Sequence, residues 1–284
     1  MKIIECPRDA MQGLSYFVNT ELKIQYLNQL LKVGFDTLDF GSFVSPYKIP
    51  QMQDTSKVVQ NLDLTESDTK LLAIIANLRG ARQALEFEQI ACLGYPFSIS
   101  ETFQIRNTNT KQEEAFKVVA EIFAQCQKKQ RELVIYLSMG FGNPYGDVWH
   151  EAIVEHWVDR FEEMGIKTMS LSDTVGVARP AQIANLFASL SADFPEIEFG
   201  AHLHTEAKDW QEKIEVAYRK GCTRFDGAIK GYGGCPMAQN SLVGNMPTEL
   251  LVSFFEHERA DFYLNLDEFG KAILLADTVF KSPN

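Results

Sequence analysis

Gly34-Phe-Asp-Thr-Leu-Asp39 reads as a helix stop followed at once by a strand. The same arrangement returns as Gly165-Ile-Lys-Thr-Met-Ser170 and as Gly221-Cys-Thr-Arg-Phe-Asp226. Glycine just past a helical stretch supplies the left-handed conformation that ends a helix without a Cβ penalty. Working outward, strand-like segments recur at Ile3–Cys6, Thr37–Phe43, Lys70–Ala76, Ile90–Ser98, Leu133–Met139, Thr168–Ser172, Glu198–His204 and Arg224–Ile229. Between them apolar residues fall at helical offsets, as in Ile24, Leu27 and Leu31, then Ile153, Trp157 and Phe161, then Trp210, Ile214, Ala217 and Tyr218. Alternating strands and helices mean parallel strands joined by right-handed crossovers. An open doubly wound sheet is the competing arrangement, but no Gly-x-Gly-x-x-Gly follows the first strand. Eight units favour closure. The expected fold is therefore α/β, a single-domain (β/α)8 TIM barrel over 1-284 with a helical C-terminal end.

At 284 residues, 45% of them apolar, the chain can bury a large core without disulfides or a structural metal. The formal charge of −11 argues against nucleic acid or an anionic membrane as the main partner. An anionic small molecule stays open, because a local basic pocket can sit in an acidic field. The cysteines at 6, 92, 126, 222 and 235 are dispersed, with no metal-clip spacing, so reduced thiols in a cytoplasmic protein are expected. No apolar run approaches the ~18 residues a membrane helix needs. The first strand begins at Ile3, so no leader segment is expected.

In a barrel of this type the chemistry sits at the C-terminal ends of the strands. Those ends are polar here: Arg8, Asp9 and Gln12; Asp39 and Ser42; Ser172 and Asp173; His202 and His204; and, after the last strand, Cys235 and Asn245. His202 and His204 are two apart on a strand and leave the same face, which suits two imidazoles on one metal. A hydrogen-bonded histidine pair is the plainer alternative. Closure of the barrel would bring Asp9, both histidines and Asn245 together, leaving coordination positions open for substrate. Such a set suits Mg2+ or Mn2+ better than zinc. Arg8 is suited to an oxyanion or thioester carbonyl, and equally to an ion pair with its neighbour. Asp173 can act behind the ligands or cap a helix. Cys235 follows glycines 231, 233 and 234, where its thiol is accessible or simply part of a turn.

Together, Pro7-Arg-Asp-Ala-Met-Gln12, Ser42-Phe-Val-Ser-Pro46 with Pro50-Gln-Met52, Ser172-Asp-Thr-Val-Gly176, Ala201-His-Leu-His204, Gly233-Gly-Cys-Pro-Met-Ala-Gln239 and Gly244-Asn245 resemble the 3-hydroxy-3-methylglutaryl-CoA (HMG-CoA) lyase family of metal-dependent barrels. The resemblance runs through nearly the whole chain in family order. It implies an acyl-CoA substrate and cleavage of HMG-CoA to acetyl-CoA and acetoacetate, a step of leucine degradation. It also implies metal ligation by Asp9, His202, His204 and Asn245. Catalytic roles would fall to Arg8, Asp39, Asp173, His202 and Cys235, and substrate contacts to Arg8, Gln12 and Ser42. Departures are Asp39 where the family has glutamate, Thr205 where aspartate follows the second histidine, Ala10-Met11 for Gly-Leu, and one extra residue between Cys235 and Asn245. They leave the acyl group open to a branched or longer 3-hydroxyacyl-CoA. Related readings on the same barrel are an acetyl-CoA-dependent condensing synthase, a pyruvate-type aldolase and a metal-binding barrel without catalysis. Lys48 and Arg106 are placed to meet the CoA nucleotide, and a homodimer is compatible with all of these readings.

Overall fold

The protein was analysed as a computed structural model that describes residues 1–206, 208–233 and 243–281. Eight strands, β1 (Lys2–Glu5), β2 (Thr37–Ser42), β3 (Lys70–Ile74), β4 (Ile90–Ser98), β5 (Glu132–Ser138), β6 (Thr168–Asp173), β7 (Glu198–Thr205) and β8 (Arg224–Gly227), pair in chain order, all parallel. The sheet closes because β1 pairs with β8, Ile4 opposite Asp226 and Glu5 opposite Gly227. The expected barrel is thus present, and its strands fall within a residue or two of the segments read from the sequence. Gly34, Gly165 and Gly221 all take positive φ (86°, 100° and 91°), the helix-ending conformation their positions imply.

Two strand ends stop short of expectation for local reasons. Pro7 opens the helix Pro7–Gln12, so β1 ends at Glu5 rather than Cys6. Beyond Gly227 the chain leaves the barrel ladder, since the Ile229 amide donates to the Glu5 carboxylate instead.

The largest apolar layer lies between barrel and helices. The helix Glu151–Met164 contributes Val154, Trp157, Val158 and Phe161, and Phe97 of β4 meets the last ring at 5.0 Å. A smaller cluster of Leu72, Ile74, Cys92, Val134 and Tyr136 fills part of the barrel interior. The C-terminal helix Leu266–Val279 packs on Thr20–Leu31, with Phe269 edge-on to Phe35. Among the described residues no helix is long and apolar enough to cross a membrane.

One strand has no counterpart among the segments expected from the sequence. A two-residue strand, β9 (Gly244–Asn245), runs antiparallel to the end of β7, pairing His204 with Asn245 and Thr205 with Gly244.

Candidate active site

The chain turns from β1 straight into the single-turn helix Pro7–Gln12, which projects Arg8, Asp9 and Gln12 over the barrel mouth. Residues three and four apart on a helix are neighbours, so these three side chains join in one network. Arg8 Nη1 donates to Asp9 Oδ1 at 2.9 Å and to Gln12 Oε1 at 3.0 Å, and Gln12 Nε2 donates to Asp9 Oδ1 at 2.6 Å. On its other side Arg8 grips Asp39 of β2 through Nε, 3.0 Å from Oδ2, and through Nη2. Asp39 is fully buried, and burial lifts its pKa to about 6 against the pull of Arg8, so it stays ionised at neutral pH. Its role in this geometry is to aim the guanidinium.

His202 and His204 reach the mouth from β7, their ring centroids 5.4 Å apart. One donor atom each from Asp9, His202 and His204 lie within 4.8 Å of one another, a spacing suited to one shared cation. Their electrostatics fit that use. Burial, aided by the charge of His202, pushes His204 down to about 4, so its imidazole is neutral with a lone pair to offer. Burial pushes the Asp9 carboxyl up, but Arg8, both histidines and the Asn245 amide together hold it below its ordinary value, as an anion. Burial also opposes charge on His202, yet the Asp226 carboxylate, 3.0 Å from Nδ1, outweighs it and raises that pKa. With Nδ1 taken, Nε2 is the nitrogen left for a ligand.

Asn245 arrives on β9 and completes the group: its Nδ2 donates to Asp9 Oδ2 at 2.7 Å and to the Tyr232 carbonyl at 2.9 Å. Ligation through Oδ1 would need the amide turned over, which is favourable only with a cation between the two oxygens. Gly233, at φ +100°, allows this contact: a Cβ there would lie 2.6 Å from Asn245 Nδ2 and 2.8 Å from the Asp9 carbonyl.

Arg8, Asp9, Gln12, His202 and His204 line a cavity of about 160 Å³. The rest of its lining is largely apolar, with Val44, Ile49, Ile74, Pro96, Phe103 and Tyr136, and includes Lys48. Lys48 donates to the Asn107 carbonyl at 3.0 Å, and Arg106 lies over the Tyr145 ring, so both are committed to local contacts.

Of the residues singled out from sequence, Arg8, Asp9, Gln12, His202, His204 and Asn245 come together. Asp173 does not line the cavity. Its Oδ1 accepts the Val177 and Ala178 amides, and its Oδ2 faces Lys213 Nζ at 3.2 Å. Nor does it cap the following helix, whose N-cap is Arg179. Ser42 is buried, with its hydroxyl accepting the Val44 amide at 3.1 Å. Cys235 lies outside the described residues. Two residues escaped the sequence reading. Asp226 holds His202, and Lys213, buried to 1% exposure, donates to the His204 carbonyl at 2.9 Å. The spacing of Asp226 from Arg224 on β8 was the available signal for the first. For the second there was none, since a lysine on an amphipathic helix reads as solvated.

A closed parallel barrel carrying a carboxylate, two imidazoles and an arginine at its C-terminal mouth belongs to the class of barrel enzymes with a metal centre at the strand ends. Residues 2–275 match the HMGL-like family, and the chain belongs to it. It is 35% identical over 252 residues to a hydroxymethylglutaryl-CoA lyase of Bacillus subtilis (strain 168), covering 88% of this chain and 83% of the relative. To the mitochondrial hydroxymethylglutaryl-CoA lyase of Macaca fascicularis it is 30% identical over 259 residues, covering 90% and 78%. An HMG-CoA lyase from Acinetobacter baumannii, solved with coenzyme A and 3-methylmalate, superposes with a TM-score of 0.91 at 30% identity, covering 98% of this chain and 90% of that one. The Bacillus subtilis HMG-CoA lyase structure also gives 0.91, at 32% identity, covering 98% and 92%.

Proposed function

We propose that this protein is a hydroxymethylglutaryl-CoA lyase, cleaving 3-hydroxy-3-methylglutaryl-CoA to acetyl-CoA and acetoacetate. The observation that carries the reading is the gathering of Asp9, His202 and His204 donor atoms within 4.8 Å, with Arg8 lining the same cavity. Asp9, His202, His204 and Asn245 would hold a divalent cation, Mg2+ or Mn2+ by the oxygen donors beside the two imidazoles, and it would supply a Lewis-acid contact that lowers the pKa of the substrate's tertiary hydroxyl.

The protein's own groups supply the rest. As a base takes the hydroxyl proton, the C3 carbonyl forms and the C2–C3 bond breaks, so its electron pair passes into the thioester as an enolate. Arg8 has five N–H hydrogens. Two are held by Asp39, one by Asp9 and one by Gln12, which leaves one on Nη2 for the enolate oxygen. A fixed donor of this kind contributes about 3–4 kcal/mol to the transition state. The Asp39 clamp means Arg8 need not reorganise as charge develops. His202 acts through Nε2, because Asp226 occupies Nδ1: its one lone pair serves as a ligand on the cation, and only off the cation can it accept the hydroxyl proton. Gln12 borders the cavity and orients Asp9 and the substrate together. Cys235 delivers the proton that C2 of the acetyl-CoA enolate must take up. The apolar wall around Ile74 and Pro96 faces the acyl chain and excludes water.

The test is incubation with HMG-CoA and Mg2+, with detection of acetoacetate. Turnover should stop with chelator and return with added metal, and Asp9→Asn should lose metal affinity and activity together. No acetoacetate from the metal-loaded protein, with turnover of a different 3-hydroxyacyl-CoA, would overturn the substrate assignment. Full activity of metal-free Asp9→Asn would overturn the ligand assignment.

A further inference from the structure

Beneath the mouth, the barrel interior holds a layer of polar groups that the proposed chemistry does not use. Arg224 and Asp226 are two apart on β8, so both face inward, and they are 4% and 3% exposed. Asp226 spends Oδ2 on His202 Nδ1, while its Oδ1 has no partner among the described residues. Arg224 Nε and Nη2 are likewise buried and unpartnered, and its nearest ion-pair contact is Asp36, distant at 3.8 Å. The hydroxyls of Tyr136 and Ser170 share that condition.

These atoms are neighbours by register. Tyr136 pairs with Ser170 across β5 and β6, Ser170 with Gly200 across β6 and β7, and Gly200 with Arg224 across β7 and β8. Gly200 makes room for the arginine: a Cβ there would lie 3.1 Å from Arg224 Cδ and 3.2 Å from Ser170 Oγ. The Tyr136 ring stands edge-on to His202, 5.6 Å between centroids. Arg224 offers only donors and Asp226 Oδ1 only accepts, while the two hydroxyls can do either.

A buried polar group without a partner costs about 1–3 kcal/mol, and proteins avoid the cost with ordered internal water that makes roughly three hydrogen bonds. Water linking Arg224, Ser170 and Tyr136 to Asp226 Oδ1 would satisfy the layer. It would also hold the Asp226 carboxylate from one side while Oδ2 meets His202 Nδ1 on the other. A metal-binding histidine that donates its other nitrogen to a carboxylate has its tautomer and ring orientation set by that bond.

We infer that Asp226, anchored by Arg224 through buried water, is a positioning residue that fixes His202 with its proton on Nδ1 and its Nε2 lone pair directed at Asp9 and His204. This rests on the metal-site reading but not on the identity of the substrate.

The test begins with the metal-free wild-type protein, labelled with 15N at histidine. Its His202 should show the tautomer protonated on Nδ1 at a pH where the ring is neutral. Protonation on Nε2 would overturn the inference without any variant. Asp226→Asn should then mix the tautomers and weaken Mn2+ binding, measured by calorimetry or EPR, by 10–100-fold. Arg224→Met, which keeps the stem and removes the charged head, should weaken it by a smaller factor, and Arg224→Lys should recover part of that loss. Mn2+ affinity within twofold of wild type in a folded Asp226→Asn protein would refute the role. Failure to turn over HMG-CoA with these results intact would refute the lyase reading alone.

Discussion

Lys213 holds the metal-ligand strand from behind, and its removal tests that support. Its ammonium is buried against Asp173 Oδ2 at 3.2 Å and the His204 carbonyl at 2.9 Å, with Asp209 Oδ2 at 3.5 Å. Lys213→Met keeps the length of the stem and removes the charge. It strands the Asp173 carboxylate, which is 1% exposed, and leaves the His204 carbonyl without its donor. Breaking one partner out of a buried pair costs about 3–5 kcal/mol. At about 2.1 cal/mol/K per residue, a chain this long has an unfolding entropy near 0.6 kcal/mol/K, so Tm should fall by roughly 5–8 °C. Burial already raises the Asp173 pKa against the attraction of Lys213, so without the lysine it should rise further, and any proton taken up would limit the loss. Adding Asp173→Asn keeps an oxygen for the Val177 and Ala178 amides and removes the stranded charge. The double variant should therefore recover at least about 1 kcal/mol relative to Lys213→Met. Urea unfolding followed by circular dichroism at pH 7 reads both. A loss under about 1 kcal/mol for the single variant, or strictly additive losses, would refute this account of the pair.

Gly233→Ala should cost about 1–2 kcal/mol for its left-handed backbone alone. Because the new Cβ would meet Asn245 and Asp9, Mn2+ affinity should fall too; unchanged affinity by calorimetry sinks the packing argument. Burial pushes Glu5 up to about 8, against its bonds from Thr248 and Ile229. A folded-state pKa above the unfolded value near 4.5 means stability is fully present below pH 4.5 and is lost as pH rises through 8, by up to about 5 kcal/mol. Glu5→Gln should flatten the decline in urea midpoint between pH 6 and pH 9, and an unaltered slope would contradict the assignment. Cys235→Ser should slow turnover strongly with fold and Mn2+ occupancy unchanged; a near-wild-type rate reduces Cys235 to a loop residue.

The barrel was legible because the strands are short apolar runs, three of them set just past a glycine helix stop, and both signals are local in sequence. The convergence of Asp9 with His202 and His204 was legible for another reason: closure of the sheet is the one global step needed to bring them together. What escaped notice depends on neighbours rather than on pattern. β9 is too short for any periodicity, and only its contact with β7 makes it a strand. Lys213 sits on a helix where the usual lysine is solvated, and its burial follows from Asp173, 40 residues away in sequence but 3.2 Å away in the fold. Asp39 and Asp173 stand at strand ends, as catalytic groups do, yet their oxygens are occupied by Arg8 and by a turn with Lys213. Sequence position alone does not separate a carboxylate that touches substrate from one that aims its neighbour.

The contact between Gly233 and Asn245 pins together both feet of the segment that joins them. The entropy of closing such a span grows only with the logarithm of its length, so one more residue in about a dozen costs below about 0.1 kcal/mol. Insertions there are nearly neutral for folding and leave the amide at the cation seat undisturbed. The longer Cys235-to-Asn245 spacing of this chain is therefore tolerable where it falls. A residue gained or lost in that span leaves the spacing of Asp9, His202 and His204 as it is.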